Sequence, residues 1–443
     1  MARAVDCIFF TAAGLFFCGL SCFFTEALAA DERADPAIVS AIHVTGLKYS
    51  KEALIVRELP FQVGDLWQAS FADSGEKRIR NLALFSEVHI TPPNGDGVVE
   101  ILAKDQWSLW LLPEATRAES GATSAGIALT EHNLWGLQHQ LRLATRWNTG
   151  KNFSKNSGHG YQVSYVWRRV GDSNWSIDSD FQRGTTIQDM FLNGTFSSSY
   201  TQLQDQKTVG VEYGFGAVPG EGWAMRWAVS DQQTSYRLLQ GPLLSDVQNY
   251  HRKSILWSSR YQNIDDHLTW RTGNIFQYQI DLGTPLLGST DNMVQQIALY
   301  RQYIALGDRG GDSWRDQSTL NLRVKAGIAT GTLVHGGLFD MGGKDDMRGY
   351  YPGDLQPRGY IYGTAELRTL FESQSNVQWV NFIDVGHLRH HGRALWNQPL
   401  IIGVGTGFRW TMRWLVGGTL RADVGYGAAT HRWRFHIASG QSF

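Results

Sequence analysis

The chain has 443 residues and a formal net charge of -1, with 40 Lys and Arg against 41 Asp and Glu, so it lacks the basic excess expected of a nucleic-acid-binding protein. Its three cysteines, Cys7, Cys18 and Cys22, all lie within the first 30 residues, which excludes a disulfide framework or a thiolate metal site in the remainder. The 17 Trp, 16 Tyr, 21 Phe and 48 Gly, with a negative mean hydropathy, indicate aromatic-rich strands and many turns.

Residues 1–30 have the pattern of a secretory signal peptide. Arg3 precedes an apolar run over 8–24, and small residues at 27–30 provide a cleavage site after Ala29 or Ala30. A retained membrane anchor is the alternative, although Gly14 and Gly19 interrupt the run. No later apolar run approaches the roughly 20 residues of a membrane helix, so residence in a membrane would require a closed sheet.

Residues 38–104 predict a small α+β domain with the order β-α-α-β-β. Strands are expected at 38–44, 87–91 and 98–103, and helices at 50–59 and about 70–84. Ser50 is the expected N-cap of the first helix, and Pro60 ends it. A turn over 92–97, rich in Pro, Asn, Asp and Gly, joins the last two strands as a hairpin.

Residues 105–443 contain 16 segments of alternating polarity, which predicts a 16-stranded antiparallel transmembrane β-barrel. The count agrees with the even number of strands in single-chain bacterial barrels. Alternating segments occur at 107–117, 122–132, 137–148, 160–169, 173–184, 207–217, 222–236, 252–262, 272–282, 294–305, 317–330, 359–371, 377–386, 399–410, 415–426 and 433–443. Residues 186–205 also contain strand-like stretches, which we assign to a long loop with room for a hairpin.

Alternation also predicts the two faces of the wall. Leu143 and Trp227 alternate with Arg142 and Arg226 along their strands, and an arginine facing hydrocarbon at mid-depth would cost roughly 2 to 4 kcal/mol. We therefore expect the arginines to face a polar lumen and the Trp and Tyr near strand ends to form interfacial girdles. Short turns such as 133–136 and 219–222 are expected on the periplasmic side, and the connections 237–251 and 331–358 outside.

The C-terminal residues predict the closing strand of the barrel. Trp433, Phe435, Ile437 and the terminal Phe443 share the face expected to contact lipid, while Arg434 and His436 occupy the other face. A soluble edge strand could alternate in the same way, and this segment alone leaves that alternative open.

Two stretches before the barrel resemble a polypeptide-transport-associated (POTRA) repeat: IVRELPFQVGD at 55–65 and RIRNLALFSEV at 78–88. Such repeats precede the barrels of the bacterial surface antigen superfamily, which includes the outer-membrane barrel-assembly protein and the two-partner secretion transporters. A generic α+β domain is the alternative. Only one repeat fits before residue 105, whereas assembly proteins of the family typically resemble strings of several modules and two-partner transporters two.

A second resemblance lies in the longest connection, where Met347-Arg348-Gly349-Tyr350 is similar to the family's Val/Ile-Arg-Gly-Tyr/Phe loop signature, with Met347 in the β-branched position. Further on, residues 382–386 are similar to the family's Phe-x-Asp-x-Gly strand. The resemblance implies that the loop folds into the lumen and that Arg348 pairs with Asp384.

Period-two alternation independently turns Asp384 and Glu366 toward the lumen, where a guanidinium could bind Asp384 bidentately and take Glu366 as a second partner. Gly349 would let the backbone pass close to the wall. An exposed loop arginine and a solvated aspartate are the alternative.

No catalytic set and no cofactor or metal site is predicted. His387, His390 and His391 cluster in a predicted outer loop, which we interpret as an exposed polar loop. The alternation Gly403-x-Gly405-x-Gly407 lacks the following helix that a phosphate cradle needs. We therefore expect a protein that is not an enzyme.

The resemblance implies outer-membrane protein assembly or polypeptide translocation, with the N-terminal domain in the periplasm. That domain would capture an extended client by adding a strand beside 87–91, and the barrel would insert the client or pass it through. The implied partners are outer-membrane lipid, unfolded or extended polypeptide clients and periplasmic accessory proteins, without nucleic acid or cofactor. The alternatives are a passive pore or receptor barrel, and a scaffold that docks a periplasmic or secreted partner.

Overall fold

The computed structural model describes residues 37–117, 123–149, 158–192, 195–245, 247–308, 311–332, 338–350, 355–372, 375–389 and 395–439. The predicted signal peptide at 1–30, the terminal Phe443, and His390 and His391 lie outside the described residues. No helix in the described part of the chain is long and apolar enough to cross a membrane.

Residues 38–105, called here the N-terminal module, form a three-stranded sheet with two helices. The elements are β1 (Ala41–Thr45), α1 (Glu52–Val56), α2 (Ser70–Arg80), β2 (Phe85–Thr91) and β3 (Val98–Asp105). The sheet order is β1-β3-β2, with β1 parallel and β2 antiparallel to β3. The apolar faces of these elements share one core, whose fully buried members include Leu54, Ile55, Ile79, Ile90 and Ile101. This arrangement leaves β1 and β2 as the two edges of the sheet.

The prediction that Ser50 caps the first helix is wrong. Helix α1 begins at Glu52 after Lys51 and ends at Val56, so it is also shorter than predicted. The Ser50 hydroxyl donates to Asp105 Oδ1 at 2.5 Å and accepts from Asn133 Nδ2 at 2.8 Å. A helix cap would need the Ser50 oxygen to accept from a backbone N–H, but that oxygen accepts from Asn133 Nδ2 instead, while Asp105 accepts the hydroxyl proton.

The remaining strands form one antiparallel sheet of 16 strands in chain order, which confirms the predicted fold class and strand number. They are β4 (Leu109–Arg117), β5 (Thr123–Leu134), β6 (His139–Thr149), β7 (His159–Trp167), β8 (Trp175–Leu192), β9 (Thr195–Val218), β10 (Glu221–Gln240), β11 (Tyr250–His267), β12 (Trp270–Gly283), β13 (Asn292–Ala305), β14 (Ser318–Thr332), β15 (Gly359–Leu370), β16 (Val377–Arg389), β17 (Ile401–Thr411), β18 (Thr419–Gly427) and β19 (Arg432–Ser439).

The assignment of 186–205 to a long loop is wrong. Strands β8 and β9 stay paired from Thr186 opposite Gln202 to Met190 opposite Ser198. Met190 and Tyr200 are buried against Val247 from the connection after β10. This small apolar cluster holds the outer ends of the two strands together, so the sheet continues where turns were expected.

The faces of the sheet follow the predicted alternation. Trp379 and Ile383 on β16 are 45% and 43% exposed, whereas Asp384, the residue after Ile383, is fully buried. On β19, Trp433, Phe435 and Ile437 are all more than 60% exposed, and Arg434 is buried. In a membrane, the exposed apolar face is the one that lipid covers.

The N-terminal module is docked on the short turns of the barrel. Asn81 Nδ2, at the end of α2, donates to the carbonyls of Pro219 and Ile264, and its Oδ1 accepts from the backbone of Asp266. Ion pairs surround these hydrogen bonds: Arg80 with Asp265, Lys77 with Glu221 and Arg169 with Glu58. Burial raises the pKa of the Glu58 carboxyl, although Arg169 and Arg57 act to lower it. The short turns therefore lie at the end of the barrel that the module occupies, which is the end predicted for them.

Candidate functional site

The connection between β14 and β15 folds back against the inner wall. Its residues Phe339, Met341, Met347 and Tyr350 are buried in a cluster with inward side chains of β15 and β16, including Tyr360, Tyr362 and Leu388. Within the loop, Gly343 N–H donates to the carbonyl of Tyr350 at 2.8 Å. Met347, in the position of a β-branched residue in the family signature, is fully buried. Its apolar side chain therefore fills space inside the barrel.

Arg348 lies at the centre of this arrangement and is 1% exposed. Its Nε and Nη2 each donate to one carboxylate oxygen of Asp384 at 3.1 Å, and its backbone N–H donates to Asp384 Oδ2 at 3.1 Å. Its Nη1 donates to Glu366 Oε2 at 2.5 Å. The structure thus brings together the three charged residues that the sequence analysis selected, in the bidentate geometry that arginine and carboxylate favour.

The cluster contains further members that the sequence analysis did not select. Glu366 also accepts from Arg368 at 2.6 Å and lies 3.4 Å from Arg409, which pairs with Asp423 at 2.7 Å. The Arg348 guanidinium carbon lies 3.4 Å from the centre of the Phe382 ring, a cation–π contact. All these residues occupy inward positions of β15 to β18, so strand alternation combined with the known inward face of Asp384 could have identified them.

Gly349 makes the close approach possible. A Cβ at this position would lie 2.6 Å from both the Cα and the backbone N of Gly427. On the wall, a Cβ at Gly425 would lie 2.6 Å from the carbonyl oxygen of Arg348. Glycines on the loop and on β18 therefore allow the two backbones to touch, which no larger residue would permit.

Two further contacts tie the loop to the last strands. The Tyr350 hydroxyl donates to the Ile402 carbonyl at 3.1 Å and accepts from the Ala429 backbone N–H at 3.3 Å. His436 Nε2, on β19, lies 2.8 Å from the carbonyl oxygen of Arg348 and donates to it. The loop is therefore in contact with the strand that ends the sheet.

The acidic pair of the loop has its own partners on the wall. Asp345 pairs with Arg421 of β18, and Asp346 accepts from the Tyr362 hydroxyl and lies 3.3 Å from Lys325. We call the loop residues 345–350 together with Glu366 and Asp384 the luminal clamp. Its contacts extend from β14 to β19, so it fixes one loop conformation against a large part of the wall.

The described residues contain no group of His, Cys, Asp and Glu side chains arranged to bind a metal ion. The placement of His387 in an outer loop is wrong, because β16 continues to Arg389 through its pairing with β15. The His387 ring nitrogen lies 3.2 Å from the carbonyl oxygen of Gln398.

The chemistry of the luminal clamp is ionic and non-covalent, which suits a positioning role.

Comparison with known proteins gives the same architecture. Residues 133–443 match the family model described as the Omp85 superfamily domain. The chain is 20% identical over 440 residues to the outer membrane protein assembly factor BamA of Nitratidesulfovibrio vulgaris, covering 91% of this chain and 51% of the relative. The chain spans about half the length of the curated relatives it matches.

Two solved structures share the fold. CdiB from Acinetobacter baumannii has a TM-score of 0.59 at 15% identity, covering 91% of this chain and 73% of that chain. BamA from Haemophilus ducreyi, in a form lacking POTRA domains 1–3, has a TM-score of 0.51 at 14% identity, covering 91% and 83%. At such identities, the likeness concerns the fold.

Proposed function

Because the chain belongs to the Omp85 superfamily, we propose that it moves polypeptides into or across the bacterial outer membrane. It is an outer-membrane protein with its N-terminal domain in the periplasm. The similar proteins are named as an assembly factor and as CdiB. The fold they share with this chain supports either insertion or translocation of polypeptides as its activity.

We propose that the N-terminal module is a single POTRA domain, bounded by residues 38–104, that captures the client. Its strand β2 has β3 as its neighbour on one side and forms an edge of the sheet. The backbone groups along such an edge can pair with an extended chain. A client strand added there would start beside the barrel mouth, because residues 85–88 of β2 line a cavity together with residues 266–271 at the barrel turn.

The luminal clamp is the observation that carries the proposal. Arg348 is held by Asp384 and Glu366 in a buried network, and the loop it anchors touches β19 through His436. A loop fixed inside the lumen and joined to the terminal strand can hold the barrel in one state until a client displaces it. In this proposal the loop moves when a client enters, whereas a passive pore or a scaffold would not require it to move.

The proposal is tested by quantitative proteomics of the outer membrane and the culture medium after deletion of the gene and restoration of the wild type. Loss of many outer-membrane barrels on deletion would assign the protein to insertion, and loss of one secreted or surface protein to translocation. Recovery with the restored gene is the control. Unchanged fractions would contradict the proposal and favour the pore or scaffold.

A further inference from the structure

A lysine and a leucine-containing turn lie side by side on the outward face of the barrel, at the end away from the N-terminal module. Ile255 on β11, Val229 on β10 and Val209 on β9 are successive register partners and are exposed, so they mark the outward face. Lys253 has the same parity as Ile255 and lies two residues nearer the outer end of β11, about 7 Å along the strand. The lysine therefore lies just beyond the apolar band of the wall.

The connection between β12 and β13 folds back along β11 beside this lysine. The Ser289 hydroxyl accepts from the backbone N–H of Lys253 at 2.8 Å and donates to its carbonyl at 2.8 Å. A Cβ at Gly288 would lie 3.9 Å from both Cδ and Nζ of Lys253. Leu286, two residues earlier in the same turn, is 94% exposed. An ammonium group and a projecting apolar side chain are thus held close together on the surface.

The Lys253 ammonium group is available to a ligand, because it has no ion pair or side-chain hydrogen bond among the described residues. Asp231, its register partner on β10, lies 2.6 Å from the Nε2 atom of His251. Besides His251, the charged residues in these two rows of outward positions are three cations and two carboxylates: Arg183, Lys207 and Lys253 with Asp205 and Asp231. The net charge of this part of the face is therefore positive.

A second outer turn has the same sequence but packs on the opposite face of the wall. Residues 242–244 and 285–287 are both Pro-Leu-Leu, and Leu243 is 76% exposed. The backbone N–H of Leu244 donates to the Tyr200 hydroxyl at 2.8 Å, and Tyr200 has the inward parity of Thr208 on β9. The turn that contains Leu243 therefore packs on the luminal side, whereas the turn that contains Leu286 lies beside the outward Lys253.

We propose that Lys253 and the turn over 284–290 bind a phosphorylated lipid of the outer leaflet, the lipid A of lipopolysaccharide. The ammonium group binds a phosphate of the head group, while its methylene stem lies along the protein surface. Leu286, together with Ile255 and its exposed register partner Leu282, contacts the acyl chains. The inference rests on the outer-membrane location, with the module in the periplasm, and does not depend on polypeptide transport.

The test is binding of purified bisphosphorylated lipid A to the full chain in detergent, measured by native mass spectrometry. We expect one bound lipid A, with binding about tenfold weaker in Lys253→Gln, weaker in Leu286→Ser and recovered in Lys253→Arg. The matched controls are Leu243→Ser, in the Pro-Leu-Leu turn on the luminal side, and Lys104→Gln, at an exposed position of β3. Both controls should bind lipid A as the wild type does.

Equal affinity of the wild type and Lys253→Gln, or an equal loss in the controls, would overturn the proposal. Equal affinity for dephosphorylated lipid A would also overturn it, because the lysine would then have no phosphate to bind. Displacement of lipid A by inorganic phosphate at the same concentration would identify a site for small anions, and equal affinity for phosphatidylglycerol a site for any anionic lipid. Either result would overturn the assignment to lipid A.

A stability measurement separates binding from a structural role. Without lipid, Lys253→Gln should unfold at the wild-type temperature, since its ammonium group has no partner to lose. Added lipid A should raise the unfolding temperature of the wild type and raise that of Lys253→Gln less. A lower unfolding temperature of the lipid-free variant, with an unchanged response to lipid A, would show a structural residue and overturn the proposal. The proteomic test of transport can succeed or fail independently of these results.

Discussion

At the scale of single residues, the centre of the luminal clamp and the strands beside it form a buried charge network, in which Asp384, Glu366 and Asp423 each have an arginine partner. Asp384 is bound by Arg348, Glu366 by Arg348 and Arg368, and Asp423 by Arg409. Such networks contribute little net stability as a whole, but removal of one partner leaves a charge buried without compensation. Their effect is therefore to specify one loop position.

We expect Arg348→Ala and Asp384→Ala each to reduce the free energy of unfolding by about 3 to 5 kcal/mol. The double variant should lose less than the sum, since neither charge then remains alone. Unfolding of the purified protein in lipid vesicles measures this cycle. Arg348→Lys should be intermediate, because lysine keeps the charge and loses the bidentate fork. Additive losses would mean that the two residues do not act as a pair.

Gly349→Ala should displace the loop even though it changes no charge. The added Cβ would meet the backbone of Gly427 at 2.6 Å, and backbone cannot move aside as a side chain can. The matched control is Gly363→Ala, where the nearest atom would be the Arg323 carbonyl at 3.7 Å. Limited proteolysis of the folded barrel should cleave the loop faster in Gly349→Ala only. Equal cleavage in the two variants would contradict the close approach.

The sequence predicted the central pairing of the clamp but not its extent. Arg348, Asp384 and Glu366 could be selected because a resemblance and a strand alternation pointed to them together. Arg409 and Asp423 were within reach of the same alternation, since both occupy inward positions of β17 and β18 and pair with each other. His436 was not, because its contact with the Arg348 carbonyl depends on where the loop lies across the last strands. Ser50 was misassigned for a similar reason, since its partner Asp105 lies 55 residues away.

At the scale of elements, the strands differ from their predicted bounds mainly on β8 to β10. Polar residues at 186–205 reduced the apolar signal that marks a strand crossing lipid, although the strands continue beyond it. The sheet is kept paired there by contacts such as Met190 and Tyr200 with Val247, which join segments distant in the chain. Alternation predicts the part of a strand in lipid better than the part above it.

The docking of α2 on the barrel turns leads to a prediction at this scale. Asn81→Ala removes hydrogen bonds to Pro219, Ile264 and Asp266 and leaves the two carbonyls to find other donors. We expect faster backbone hydrogen exchange at 219–222 and 263–269, which comprise two short turns and the strand ends beside them, with the rest of the barrel strands unchanged. Lys104→Ala, at an exposed position of β3, is the control. Unchanged exchange in Asn81→Ala would show that the contact does not hold the module.

At the scale of the whole molecule, the 16-stranded architecture and the superfamily expected from the sequence are confirmed. The clamp joins the inner wall from β14 to β19, and the module covers turns on the periplasmic side. A client entering from the module would meet the loop held by Arg348 next. We infer that displacement of this loop is the step that couples client capture to insertion or translocation.

The most direct test of this account restores a strain lacking the gene with Arg348→Ala or with the control Gly363→Ala, at equal amounts of folded barrel in the outer membrane. The measured quantity is the abundance of the proteins that disappear when the gene is deleted. The account predicts that Gly363→Ala restores them and that Arg348→Ala does not, with Arg348→Lys between the two. Full restoration by Arg348→Ala would contradict a role for the clamp in moving polypeptides.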